Sequence, residues 1–463
     1  MCEAFTLIVF FWFARTISSY AGAPLPVGVL ILAATAPLLQ PQWITFAVAR
    51  TIARRHGPLC MILAGAGIYV GTEWLVPKLF GDTLGQGLFP SARLRQAADL
   101  AGTAGLTFVL IAGNECGLAV YTALREKAGR AALAPALSLV ALVSGFLIYG
   151  EVRLRQFPPA PAAALRVGVV QGNLGQYSRL AETMSTYDAV RMILDLYFDL
   201  SSSVLASTPL DLLVWPETVY PTTFGVPKSA DGAAFDREIA AFVAESRVPL
   251  LFGAYDVEDG REFNAAVLLT PGSPAQASFD TYRKTHLFPF TERLPSWLDN
   301  DVVRGRLPWA GQWHEGPGAA VLPLVLRDGR ELRLAPLICY DAIDTNLAVA
   351  AVRQGASVIV TLSNDSWFAD GPAPWLTLVL SAFRSIETRR PQVRSTPTGV
   401  SAFISPTGEL THVLDWRRRE AVVGEVIPVD GAQTLMLAWG DWFGRVALLL
   451  GLAALALALA RPN

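Results

Sequence analysis

Leu334-Ala335-Pro336-Leu337-Ile338-Cys339-Tyr340-Asp341 is an apolar run that ends abruptly on a thiol, an aromatic ring and a carboxylate. Such a run predicts a buried strand over Leu332–Cys339, followed by a helix from Ile343 to Gln354. At a strand-to-helix junction, backbone N–H groups and the positive end of the helix lower a thiol pKa and can hold an oxyanion. The plainer reading of an isolated cysteine is a small core residue. The same texture recurs on both sides of this stretch, starting at Leu165. It predicts strands Arg166–Val170, Leu212–Trp215, Leu250–Gly253, Ala265–Leu269, Ser357–Leu362 and Gly399–Ile404, with helices over Leu180–Ser203, Ala233–Ser246 and Pro374–Arg389. Short β-branched runs alternating with longer amphipathic ones are the pattern of an α/β domain.

Three more of these elements end on functional groups. Leu212-Leu213-Val214-Trp215-Pro216-Glu217 delivers a carboxylate at a strand's C-terminal end, where α/β sheets place their chemistry. Taken alone, Glu217 is an ordinary solvated glutamate or a general base. Tyr282-Arg283-Lys284-Thr285-His286 follows a strand-like run and continues through Leu287-Phe288-Pro289-Phe290 to Glu292; Lys284 by itself would be surface decoration, and His286 reads as a structural histidine. Leu362-Ser363-Asn364-Asp365-Ser366-Trp367-Phe368 places polar and aromatic groups after another apolar strand. Four strand ends offering Glu, Lys, Cys and Asn-Asp point to one site.

The rest of the chain is unlike a soluble protein. Of its 463 residues 52% are hydrophobic and only 16% charged, with a mean hydropathy of +0.39, so part of it belongs in lipid. Apolar runs at about 4–14, 26–49, 57–72, 100–114, 131–150 and 446–460 predict six membrane segments, five before the α/β domain and one after it. The expected domains are therefore 1–154, 155–430 and 431–463, with the Pro/Ala stretch Pro158–Ala164 at the first boundary. Arg50, Arg54 and Arg55 lie in one short connection, and Arg125, Lys127 and Arg130 in another. Those loops are expected in the cytoplasm, which places the α/β domain outside it. Lys78, Arg93 and Arg95 depart from that bias. Glu73, Asp99 and Glu115 lie in or beside predicted spans, costly positions for carboxylates. A net charge of −2 with no basic block argues against a nucleic-acid partner. Cys2, Cys60 and Cys116 fall in or beside apolar runs, which leaves Cys339 alone in the α/β part, and no Cys/His spacing suggests a metal.

The ordered set Trp215-Pro216-Glu217, Lys284 with His286-Leu287 and Glu292, Cys339-Tyr340, and Ser363-Asn364-Asp365 with Trp367-Phe368 resembles the nitrilase (carbon-nitrogen hydrolase) superfamily. With membrane segments on both sides, the chain is most similar to its apolipoprotein N-acyltransferase branch. Val170-Gln171-Gly172-Asn173, Arg389-Arg390-Pro391, Ser405-Pro406 with Gly408, and Glu73-Trp74 extend the likeness. The resemblance implies an αββα sandwich inserted between transmembrane helices, with Glu217, Lys284 and Cys339 as catalytic triad. Glu292, Tyr340, Asp341 and Asn364 would support it, and neither cofactor nor metal would be needed. It implies a phospholipid acyl donor, a diacylglyceryl apolipoprotein acceptor, a monomeric enzyme in the bacterial inner membrane, and a domain facing the periplasm. Both substrates are lipid-bound, which gives the membrane segments a physical purpose. Aromatics in 287–317 (Phe288, Phe290, Trp297, Trp309, Trp313), with Trp367, Phe368 and Trp375, would then be two arms dipping into the lipid interface, or else loops packed on the domain. Three features depart from the family: two fewer leading helices, Asp341 where Glu is common, and Leu180 where an aromatic is usual. They leave two other readings, a membrane-tethered amidase acting on a small amide and an inactive scaffold.

Overall fold

The structure is a computed structural model that describes residues 1–157, 164–175, 184–273, 277–307, 310–368 and 371–460. Leu180, Trp309, the Trp367 side chain and all but the last residue of Pro158–Ala164 lie outside the described residues. The chain forms two compact units. One comprises Met1–Pro159, Phe368–Pro372 and Gln433–Asn463; the other comprises Ala160–Trp367 and Ala373–Ala432.

The first unit is helical. Pro58–Leu75, Leu94–Arg125, Gly129–Gln156 and Phe443–Ala460 are each long and apolar enough to cross a membrane. The runs expected at 4–14 and 26–49 are bent pairs rather than single helices: Cys2–Val9 with Phe11–Ser19 at 71°, and Leu25–Leu39 with Gln42–Ala53 at 48°. The second break has a local cause. Pro41 disfavours helical backbone in the residue before it, and Gln40 leaves the helix at φ −134°. The count of six spans therefore holds if each bent pair is one crossing. The three carboxylates singled out in the sequence are all paired with cations: Glu73 with Lys78 at 3.0 Å, Asp99 with Arg153 at 2.6 Å, and Glu115 with Arg50. Tyr149 also donates to Asp99, at 2.7 Å.

Among the described residues the second unit is built on two six-stranded sheets. The chain enters the first through β1 (Leu165–Gln171), β2 (Leu212–Val214), β3 (Leu250–Glu258), β4 (Arg261–Thr270) and β5 (Ser278–Arg283). It then lays down the second as β6 (Leu322–Val325), β7 (Glu331–Ile338), β8 (Val358–Leu362), β9 (Gln392–Ser395), β10 (Ser401–Ile404) and β11 (Leu410–Leu414), before β12 (Glu420–Val426) returns to the first. The orders are β12-β1-β2-β3-β4-β5 and β11-β10-β9-β8-β7-β6. Alternation along each strand decides what it buries. Leu165, Val167 and Val169 of β1 join Val358, Val360 and Leu362 of β8 in a core shared by the two sheets. Val170 points the other way, into a cluster with Ile193, Leu194 and Tyr197 of helix Thr186–Ser207 and Phe235 and Ile239 of helix Ala230–Ser246. Helices Thr345–Arg353 and Ala373–Thr388 flank the second sheet, which completes an αββα sandwich.

All seven strands expected from the sequence form, with β3 running five residues further and β4 starting four residues earlier than expected. The five that reading missed are β5, β6, β9, β11 and β12, and four of these are the edges of the two sheets. An edge strand has one side free of pairing and tolerates charge and proline, so its sequence carries little apolar signal; Pro323 sits within β6. β9 is interior but polar for a different reason. Gln392 donates to Thr361 (2.6 Å) and to Ser381, and Arg394 donates to Asp365 (2.9 Å).

The two sheets meet closely at Gly424 of β12, where a Cβ would lie 2.7 Å from three carbons of the Phe403 ring on β10. Gly424→Val is expected to cost roughly 1–3 kcal/mol by overpacking, lowering the thermal midpoint about 2–4 °C per kcal/mol. Phe403→Leu in the same chain should restore part of that loss. An equal drop with and without the compensating change would show that the close contact is not the cause.

Candidate active site

Three strand ends converge. Glu217 follows β2 after Trp215-Pro216, Lys284 is the first residue past β5, and Cys339 the first past β7. The Glu217 turn is pinned from below. Trp215 is fully buried and its indole donates to Ser201 Oγ at 2.9 Å. Gly253 of β3 donates to Pro216 O at 3.1 Å, and any Cβ there would come within 2.6 Å of Glu217 Cα, so the strand must present glycine for this turn to approach. Lys284 N donates to the Asn264 carbonyl of β4 at 2.8 Å. Cys339 adopts φ +48°, a left-handed conformation that turns the chain sharply out of β7.

The side chains form one charged cluster. Lys284, 1% exposed, donates from Nζ to Glu292 Oε1 at 2.7 Å and to Glu217 Oε1 at 3.1 Å. Asn264 Nδ2 donates to the same two oxygens, at 2.7 Å to Glu217 and 3.3 Å to Glu292. Glu292 Oε2 is held by the Phe288 N–H at 2.7 Å. Glu217 Oε2 is buried and has no hydrogen-bond partner among the described residues. Burial opposes the charge on Lys284, but Glu217 and Glu292 outweigh it and hold the ammonium well above the ordinary lysine range. Burial pushes the Glu217 carboxyl up, with Lys284 pulling against it and Glu292 adding to it.

The thiol departs from expectation. A helix terminus lowering its pKa was predicted, yet burial and then the charge of Glu217 push Cys339 up to about 12, with Lys284 acting the other way. The reason is geometric. Cys339–Ile343 is a single 3₁₀ turn, and the helix proper starts only at Thr345, where the Asp344 carboxylate already caps Asn346 N at 2.7 Å. His286 pairs with that same Asp344 at 2.7 Å, in keeping with its reading as a structural histidine.

The remaining expected residues separate into distinct tasks. Asp341 is fully buried and accepts four hydrogen bonds: from Thr285 N (3.1 Å) and His286 N (2.7 Å) on Oδ1, and from Ile338 N (3.0 Å) and the Tyr282 hydroxyl (2.9 Å) on Oδ2. It joins the segment carrying Lys284 to the one carrying Cys339. Tyr340 packs edge-on against Phe288 at 5.1 Å. Asn364 accepts from Ser366 N at 3.1 Å, a local turn, and among the described residues it has no hydrogen bond to Glu217, Lys284 or Cys339. The aromatic stretch 287–317 is divided: Trp313 packs on Tyr255 at 4.5 Å, whereas Trp297 is 78% exposed. Sequence reading missed Asn264. The available signal was a single amide in the otherwise apolar run Phe263-Asn264-Ala265-Ala266-Val267.

Residues 163–434 match the carbon-nitrogen hydrolase family, and residues 1–116 match the apolipoprotein N-acyltransferase N-terminal domain. An apolipoprotein N-acyltransferase of Geobacter metallireducens is 28% identical, over 94% of this chain and 81% of its own length. One from Pseudomonas putida is 31% identical, over 96% of this chain and 85% of its own length. Among solved structures, an amidase from Nesterenkonia sp. aligns at 16% identity and a TM-score of 0.41, covering 62% of this chain and 94% of that one. The chain thus belongs to the carbon-nitrogen hydrolase family and, within it, to the apolipoprotein N-acyltransferases.

Proposed function

We propose that this membrane protein moves an acyl chain from a phospholipid, through a thioester on Cys339, to the N-terminal amine of a diacylglyceryl-cysteine lipoprotein. The observation that carries this reading is the buried Lys284 ammonium, shared by two carboxylates and acting electrostatically on the Cys339 thiol. The unpaired Glu217 Oε2 takes the thiol proton as sulfur attacks the ester carbonyl. An ammonium has three N–H groups, and Lys284 spends two on Glu217 and Glu292, which leaves one for the tetrahedral oxyanion. Glu217 returns the proton to the departing lysophospholipid oxygen as the C–O bond breaks. The neutral lipoprotein amine then attacks the thioester, Glu217 accepts its proton, and the sulfur leaves to be reprotonated. Glu292 and Asn264 position Lys284 and Glu217, and Asp341 fixes the nucleophile's turn.

The raised thiol pKa fits this division of labour, because no resting thiolate is needed when a base sits beside the nucleophile. It also spares a lone cysteine from idle oxidation. The basic short connections support a bacterial inner-membrane location with the α/β unit on the periplasmic side. Trp297 and Val302 supply an exposed apolar edge suited to a lipid interface.

Incubation of the purified chain with phosphatidylethanolamine should produce a hydroxylamine-labile acyl adduct by intact mass, absent in Cys339→Ala. Lack of adduct in the folded wild type with lipid in excess would redirect the reading toward an amidase or a scaffold. Glu217→Gln is expected to slow adduct formation about 10²–10⁴-fold through loss of the base. It should at the same time lower the pH midpoint of Cys339 alkylation, because a negative charge that disfavours the thiolate has gone. An unchanged or higher midpoint would mean that Glu217 does not face the sulfur as a carboxylate.

A further inference from the structure

His286 lies two residues beyond Lys284 and takes no part in the chemistry above, yet it touches the nucleophile's turn twice. Its backbone N–H donates to Asp341 Oδ1 at 2.7 Å, and its ring Nε2 lies 2.7 Å from Asp344 Oδ2. Asp344 N in turn donates to the Asp341 carbonyl at 3.1 Å. One residue therefore bridges the Lys284 segment to the 3₁₀ turn Cys339–Ile343 at the middle of that turn and just past its end.

The far side of the turn is held independently. Arg384, on helix Ala373–Thr388, donates from Nη1 to the Ile343 carbonyl at 2.8 Å. Asp344 Oδ1 caps helix Thr345–Arg353 through Asn346 N at 2.7 Å and Leu347 N at 3.4 Å. Against these supports a single tie through Asp341 acts as a pivot, whereas a second tie three residues further on removes the remaining rotation. Small errors in such an angle matter, because misplacing a reacting group by about 1 Å can cost 10²-fold in rate.

The second tie differs in kind from the first. Asp341 binds backbone N–H groups and a tyrosine hydroxyl, none of which titrates near neutrality, whereas an imidazole does. The hydrogen bond to Asp344 lifts the His286 ring above its ordinary range against its partial burial, and the charges of Asp344, Asp341 and Glu315 add to the lift. Burial opposes the charge on Asp344, but His286, Asn346 N and Arg384 together hold that carboxyl below its usual value.

We propose that His286 is a positioning residue for the acyl transfer, its ring paired with Asp344 to set the spacing between the Lys284 ammonium and the Cys339 sulfur. The role rests on the acyl-transfer reading, since the groups it aligns are the ones assigned there. Its pH dependence has a definite sign. The tie is at full strength below about pH 6.5, the ordinary imidazole value, and weakens as pH rises through the raised value of the folded state. A neutral ring can still donate from Nε2, so the charge assistance is lost and not the contact itself.

The test follows acyl-adduct formation from phosphatidylethanolamine on the full chain by intact mass, for wild type, His286→Ala and His286→Gln, at about pH 6 and about pH 9, either side of the imidazole range. At the lower pH His286→Ala should slow the maximal rate about tenfold, the scale of one charge-assisted hydrogen bond. The lipid concentration giving half that rate should not change. His286→Gln keeps a donor without the charge and should recover part of the loss. The rate ratio of wild type to His286→Gln should fall toward one at the higher pH, where the titrations of base and nucleophile cancel in the ratio. A ratio that is the same at both pH values overturns the proposal, as does an unchanged maximal rate in folded His286→Ala. If His286→Ala does not fold, the pH dependence of the His286→Gln ratio decides. Absence of adduct in wild type would instead sink the acyl-transfer reading. Iodoacetamide labelling mapped to Cys339 then decides the positioning role: faster labelling in His286→Ala than in wild type at the lower pH supports it, and equal rates overturn it.

Discussion

The geometry of the α/β unit turns on one ammonium. Lys284 is almost wholly buried, so its charge persists only because Glu217 and Glu292 stand within hydrogen-bonding distance. Each carboxylate in turn needs the lysine, and Asn264 supplies a neutral donor to both. Removing the lysine would leave two carboxylates buried side by side without a cation. The strand ends after β2 and β5 are therefore held together by the requirement that these charges meet, beyond what the apolar core between the sheets demands.

This mutual dependence explains why the site was more legible than its surroundings. Glu217 and Cys339 each ended an apolar run, and the strong signal of a buried strand marked where they would be delivered, whereas Lys284 follows the edge strand β5 and stood out by its neighbours His286 and Glu292. The interior strands were readable for the same reason. The edges were not, since β5, β6, β11 and β12 bury less and carry polar or proline residues that look like loop. β9 was hidden by the opposite circumstance. Its Gln392 and Arg394 are buried and donate to Thr361, Ser381 and Asp365, partners drawn from other elements. Asn264 is a similar case, because one amide in an apolar strand acquires meaning only beside two carboxylates drawn from other segments.

The thiol is where sequence reasoning led astray. A helix start shortly after Cys339 suggested an activating dipole, but an intervening 3₁₀ turn and the Asp344 cap spend that terminus locally. What surrounds the sulfur instead is apolar packing, the Glu217 carboxylate and the Lys284 ammonium. Under the proposed mechanism the thiol is tuned by proximity to Glu217 rather than by a helix field.

Asp341 gives this arrangement a mechanical meaning. Its two oxygens grip Tyr282, Thr285 and His286 at the exit of β5 in the first sheet and Ile338 at the end of β7 in the second. The carboxylate is a rivet through both layers, placed where the reacting groups emerge. Prying the layers apart at this end would strip the sulfur of its neighbouring ammonium in the same movement. A partly opened domain would thus take apart the Lys284 and Cys339 ends together, because one aspartate holds both.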